Sequence, residues 1–234
     1  MKRAFPVLAI LTAVLLSYGL YQALVVAPTE QTMGDVQRIF YYHVPSAWTA
    51  FILFFVNLVA SIVYLASRNP KTDALAVAAA EVGVVFCTVV LVTGPIWARP
   101  VWGIWWTWDL RLTLTLVLWL IYVSYLMLRR FSSSGQTPLI AAVLAVFGAL
   151  DVPLVYFSIW FFRTQHPQPV MGNGGSIDPR MLHALLINWL AFSCFAALVC
   201  WSRYRLEVLR REVDETQALE ALLEKGVPER GSSR

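Results

Sequence analysis

His43, His166 and His183 are the only histidines in the sequence, and imidazole is the side chain best suited to bind a metal or carry a proton near neutral pH. Two of them sit among aromatic residues. His43 lies in Phe40-Tyr41-Tyr42-His43-Val44-Pro45-Ser46, and His166 closes Ile159-Trp160-Phe161-Phe162-Arg163-Thr164-Gln165-His166. Between them runs Pro100 to Thr113, where Trp102, Trp105, Trp106 and Trp108 put four of the ten tryptophans into one short stretch. Asp109 and Arg111 follow at once. Continued as a helix, this stretch sets Trp102, Trp105, Trp106 and Asp109 at i, i+3, i+4 and i+7 on one face. That face is an indole platform ending in a carboxylate, suited to a large, flat, mostly apolar partner. Imidazole is also the usual axial ligand of haem iron. Two imidazoles clamping a disc, with indoles along one edge, would hold a porphyrin, and Arg38, Arg99, Arg111, Arg163 and Arg180 offer partners for its propionates. The residues alone do not separate haem from another flat ligand. Nor do they separate the platform from the tryptophan belt that collects at any membrane–water interface.

The elements that must position these groups follow from composition. The sequence is 59% hydrophobic and only 14% charged, far from a soluble domain, and its apolar runs are long enough to cross a bilayer. The expected fold is all-α: a polytopic membrane protein with six transmembrane helices. The spans are read as Pro6 to Ala27, Pro45 to about Ser67, Leu75 to Ile96, Leu110 to Leu128, Pro138 to about Phe162, and Arg180 to Trp201. Proline at 45 suits a first helical turn, where the N–H it lacks would have no partner. Residues 1–202 form the membrane domain, with the tryptophan-rich segment at about 97–113, and 203–234 form a charged tail. From Arg203 to Lys225 the tail reads as a short helix, taken as a solvated extension of the sixth span. Residues 226–234 are expected to be disordered.

An even number of spans puts both termini on one side. That side collects 13 of the 18 basic residues, the exceptions being Arg38, Arg99, Arg111, Arg163 and Arg180. The positive-inside rule then places both termini in the cytoplasm, and His43, the tryptophan stretch and His166 outside, beside one another. The net charge of +4 therefore reflects loop asymmetry and not nucleic-acid binding. Cys87, Cys194 and Cys200 lie in apolar runs without a CxxC or CxxCH pattern, excluding a thioredoxin-like site or covalent c-type haem attachment. With no nucleotide-binding loop or hydrolytic triad, no enzymatic activity is expected. Asp151, Glu81, Asn57 and Asn188 are polar residues inside spans. Asn57 and Asn188 read as interhelical clamps, and Pro153 as the source of a kink that aims the end of the fifth span at His166. His183, one turn inside the sixth span, occupies a more ordinary, buried place.

The run Trp102-Gly103-Ile104-Trp105-Trp106-Thr107-Trp108-Asp109-Leu110-Arg111-Leu112-Thr113 resembles the WWD signature of haem-handling proteins in cytochrome c biogenesis. Within that superfamily the chain is similar to the CcmC (haem exporter protein C) family. Arg38 to Trp48 and the region from Asp151 to His166 agree with it, and the resemblance covers nearly all of the chain before the tail. It implies a carrier that holds haem b, non-covalently and transiently, at the periplasmic face of the bacterial inner membrane and passes it to the haem chaperone CcmE. The implied partners are CcmD and the ABC-type components CcmA and CcmB. The family's two axial histidines map onto His43 and His166, with Trp102, Trp105, Trp106, Trp108, Asp109 and Arg111 as ring-binding residues; His183 has no counterpart. Rival readings are the haem-attaching synthetase branch of the superfamily, usually larger, and a b-type cytochrome electron-transfer subunit. A transmembrane electron path normally needs haem sites at two depths, and the inward half carries no histidine.

Overall fold

The computed structural model describes residues 4–132, 134–162, 166 and 177–226, with side chains as far as Leu223. Among them six helices are long and apolar enough to cross a membrane. The first is α1 (Ala4–Tyr21), carried on by a π-helical turn, Gln22–Val26. Next come a 3-10 turn, Asp35–Ile39, and α2 (Phe40–Ser67), then α3 (Pro70–Trp102) and α4 (Leu110–Phe131). The fifth crossing is split into α5 (Thr137–Ala149) and α6 (Asp151–Phe161), and α7 (Pro179–Gly226) is the sixth. Helices are the expected answer in lipid, where each backbone amide must find its partner within its own segment.

Local signals set several of these boundaries. Asn69 caps α3, its side chain accepting from the Lys71 N–H at 2.9 Å, and Pro70 fills the first helical position. The third span thus begins five residues before the expected Leu75. It also runs past Ile96, through Pro95 and Pro100, to Trp102. The second span starts earlier than expected as well. Pro45 lies inside α2, not at its start, because Phe40 and Tyr41 are buried and fold the approach into the helix. Helices α5 and α6 part at Leu150, three residues before Pro153, where the proline leaves the Ala149 carbonyl without its i+4 donor. The tail continues α7 without a break as far as Gly226, so among the described residues it is an extension of the sixth span and not a separate helix. At 1.5 Å per residue the 48 residues of α7 extend about 70 Å, more than twice a bilayer core.

The core holds together through small residues and polar clamps. The buried run Ala76 and Ala78–Ala80 of α3 lets α2 approach closely, the packing that membrane helices favour. Asn57 of α2 donates to the Ala76 carbonyl at 2.8 Å, and Asn188 of α7 donates to the Gly19 carbonyl of α1 at 3.0 Å. At Gly83 an added Cβ would lie 2.7 Å from Cε1 of Phe54, a fully buried ring stacked 3.9 Å from Tyr122. The added Cβ would also meet Leu53 Cβ at 3.4 Å, and the stacking on Tyr122 leaves the buried ring little room to move aside. Gly83→Ala is expected to destabilise the bundle by about 1–3 kcal/mol, read as a lower melting midpoint in detergent. Gly135→Ala, with nothing within 4 Å, serves as the unaffected control.

The connection before α2 is pinned by two charged residues. Arg38 donates to the Ala23 and Ala27 carbonyls at 2.7 and 3.3 Å, and also to Asp35 and Thr29. Glu30 accepts the Met33 and Thr32 backbone N–H groups, which hold its carboxyl below the usual carboxylate range.

Candidate functional site

His43 sits in the first turns of α2 and is 8% exposed. It is therefore a helix residue, where the sequence suggested an outward-facing loop. Its Nδ1 lies 2.8 Å from Oγ1 of Thr93 on α3, and that hydroxyl lies 2.6 Å from the Val89 carbonyl one turn back. Thr93 has one hydroxyl proton. Donated to the carbonyl, it leaves the oxygen able only to accept, so the ring must carry its proton on Nδ1 and its lone pair on Nε2. The ring also meets Trp97 edge-on, with centroids 5.9 Å apart at 73°, and Trp97 in turn packs against Phe40. Gly94 faces the edge between the two nitrogens, where even a methyl group would stand 3.5 Å from Cε1. Thr93, Gly94 and Trp97 thus form one face of α3 shaped around one imidazole.

Two basic side chains act electrostatically on His43: His166, beyond the end of α6, and Arg111 in the first turn of α4. Arg111 donates to the Val155 carbonyl of α6 at 3.3 Å, which ties α4 to α6. The ends of α2, α3, α4 and α6 therefore converge here. Of the other arginines considered for propionates, Arg38 is committed to the 23–35 connection and Arg180 pairs with Asp178 at 3.0 Å. Arg99 donates to the Gly103 carbonyl, closing the end of α3, and Arg163 lies outside the described residues. Arg111 is thus the described arginine that acts on His43. His183 stands apart, its ring 3.3 Å from the Tyr18 hydroxyl of α1.

The tryptophan stretch is not a helix. Helix α3 ends at Trp102, Gly103 adopts φ +77°, and 103–109 run irregularly to Asp109. A left-handed residue after the last turn is the ordinary glycine stop, and the expected single face of Trp102, Trp105, Trp106 and Asp109 does not exist. Asp109 caps α4 instead, accepting from the Leu112 N–H at 3.1 Å and the Thr107 hydroxyl at 3.0 Å. The loop spreads the indoles. Trp105 and Trp108 are 60% and 76% exposed, Trp102 and Trp106 are half-buried, and Trp106 meets Trp108 edge-on with centroids 5.8 Å apart. The indole N–H groups of Trp97 and Trp106 are buried without a partner among the described residues.

These features fit an anionic porphyrin. They comprise an imidazole with its lone pair on Nε2, a second imidazole that acts on it electrostatically, two indole donors lacking acceptors among the described residues, and one arginine for an acid group. Sequence reading missed Thr93 and Trp97. Their i, i+4 spacing on α3 was the available signal, but nothing in the chain order said that this face meets His43.

Fold and composition together define a polytopic membrane protein: six long apolar helices, with His43, Thr93 and Trp97 gathered where α2 meets the later turns of α3. The family described as Heme exporter protein C matches residues 1–219, and the chain belongs to it. It is 38% identical to heme exporter protein C of Bradyrhizobium diazoefficiens, over 94% of this chain and 84% of that one. It is 32% identical to heme exporter protein C of Escherichia coli K12, over 94% and 90% of the two chains. A mitochondrial protein of Arabidopsis thaliana, named as ccmC-like in cytochrome c biosynthesis, is 31% identical over 93% of this chain and 83% of its own.

Proposed function

We propose that this protein binds haem b at the periplasmic face of the bacterial inner membrane, through His43 and His166, and delivers it to CcmE during cytochrome c maturation. The observation that carries the reading is the His43 setting: a buried imidazole with Nδ1 committed to Thr93, in the electrostatic field of His166 and Arg111. Family membership supports the haem cargo, and the distribution of Lys and Arg supports cytoplasmic termini. CcmD, CcmA and CcmB are the further partners proposed.

The chain divides the work between a fixed and a releasable ligand. His43 is held by a helix on both sides, whereas His166 lies beyond the end of α6. Trp106 and Trp97 would donate their indole N–H groups to acid groups of the ring, and Arg111 would pair with a propionate. Trp102 would line the ring's edge. The exposed Trp105 and Trp108 offer an apolar rim for the chaperone, while Asp109 fixes where that loop ends. A neutral imidazole needs no proton change to bind or let go of iron, which suits a carrier.

The experiment is an absorption spectrum of the detergent-purified protein, oxidised and reduced, before and after adding haem-free CcmE. A bis-histidine haem spectrum that moves to CcmE is expected. Protein that takes up no haem, even when reconstituted with it in lipid nanodiscs, would remove the reading.

A further inference from the structure

We propose that Thr93 is a positioning residue for the haem site: its hydroxyl holds the His43 ring in one tautomer and one orientation, with Nε2 presented to the iron. This rests on reading His43 as a ligand. The geometry behind it is a relay of two short hydrogen bonds, His43 Nδ1–H to Thr93 Oγ1 at 2.8 Å and Thr93 Oγ1–H to the Val89 carbonyl at 2.6 Å. A hydroxyl that donates to a carbonyl becomes a better acceptor, so the two bonds strengthen each other. The ring cannot flip without losing its acceptor, while Trp97 confines its plane from the side.

Ligating imidazoles elsewhere take this support from a carboxylate or a backbone carbonyl. A threonine hydroxyl is a weaker, uncharged version. It orients the ring without making it strongly imidazolate-like, which keeps the iron bond strong enough to hold and weak enough to surrender. Thr93 has a second consequence: it transmits the position of α3 to the ligand, since Val89, Thr93 and Trp97 are successive turns of one helix.

The test compares Thr93→Val, which keeps the shape and removes the acceptor, with Thr93→Ser, which keeps the hydroxyl. In haem-free protein labelled with 15N-histidine, the His43 signals, assigned with His43→Gly, are expected to show a single Nδ1–H form in wild type and Thr93→Ser. A mixture of the two tautomers is expected in Thr93→Val. After haem loading, Thr93→Val is expected to bind about 10–100-fold more weakly and to show a raised midpoint potential, because a less polarised imidazole stabilises ferric iron less. Thr93→Ser is expected to restore both. Identical tautomers in wild type and Thr93→Val would overturn the inference. So would a tautomer change with unaltered affinity and potential, or failure of Thr93→Ser to rescue. If wild type itself takes no haem, the haem reading fails, and with it Nε2 presentation to iron, while the 15N signals still decide whether Thr93 sets the tautomer.

Discussion

His43→Gly is expected to abolish the haem spectrum of the purified protein, and millimolar imidazole is expected to bring it back. The physical reason is the way this ring is held. It is 8% exposed, bonded through Nδ1 to Thr93 and flanked by Trp97, so removing it leaves a hole of its own shape with the Thr93 acceptor still in place. Exogenous imidazole can enter that hole, donate one N–H to Thr93 and offer its other nitrogen to iron. The loss in affinity should exceed the ~10–100-fold that removing an outer partner of a metal ligand costs. The hole and the glycine together should cost the bundle several kcal/mol, about 1 of it from helix propensity, and imidazole that fills the hole should recover part of that as well as the spectrum. His183→Gly is the matched control. His183 meets Tyr18 of α1 and makes none of the contacts that hold the His43 ring, so its loss should leave the spectrum intact. An unchanged spectrum in His43→Gly, or an equal loss in His183→Gly, would displace His43 from the centre of the site.

The largest effect on stability is expected from Asp73→Ala. Asp73 is 2% exposed in the first turn of α3, and its carboxylate accepts from Arg129 of α4 and, at 2.8 Å, from Arg211 of α7. Three helices are thus joined at one buried anion. Arg129 is largely shielded, its side chain 11% exposed; it lies over the Tyr125 ring at 5.3 Å, and one guanidinium nitrogen lacks a partner among the described residues. Taking away the carboxylate leaves that cation uncompensated, a change that typically costs about 3–5 kcal/mol. Arg211 softens the loss because it keeps Glu207 at 2.8 Å and the Pro70 carbonyl at 3.0 Å. The measurement is thermal unfolding in detergent, with limited proteolysis of the α7 extension as a second readout. Asp73→Asn, which preserves volume and one acceptor, should fall between wild type and Asp73→Ala. The haem spectrum at low temperature should not change, because this cluster gathers at the opposite end of α3 from Thr93. A change within about 0.5 kcal/mol, the size of an ordinary surface substitution, would show that the cluster carries no weight.

A second pair at the same end, Arg203 of α7 on Glu81 of α3 at 2.6 Å, extends the tie between these two helices. It is half-exposed, and pairs of that kind contribute little individually. Its interest lies in identity: Glu81 stood out in the sequence as a charged residue inside a span, and the structure gives it an ordinary partner. Asn57 and Asn188 resolve the same way, as clamps between α2 and α3 and between α1 and α7. Asp151 differs. It is 7% exposed at the α5–α6 break, with one carboxylate oxygen lacking a partner among the described residues.

Much of this protein follows from its amino-acid order alone. Six apolar runs, interrupted where Arg68, Asn69, Pro70 and Ser132 sit, suffice to define six helices, because hydrocarbon leaves the backbone no cheaper arrangement. Which residues carry special chemistry is equally local, since three histidines and one dense group of tryptophans need no fold to be noticed. What the order could not determine is what each of these meets. The chain reads as though Trp102 to Asp109 continue a helix, and only the glycine stop at 103, with Asp109 drawn off to cap α4, breaks that face. Five arginines look equally placed for an acid group until the packing ties Arg38, Arg99 and Arg180 to neighbours and leaves Arg111 acting on His43. Thr93 is fifty residues from His43 in the chain, and a hydroxyl has no pattern of its own to announce a partner. Helix formation depends on neighbours within a turn or two, whereas a ligand's orientation depends on which helix faces it. That choice is made by the packing of the bundle as a whole.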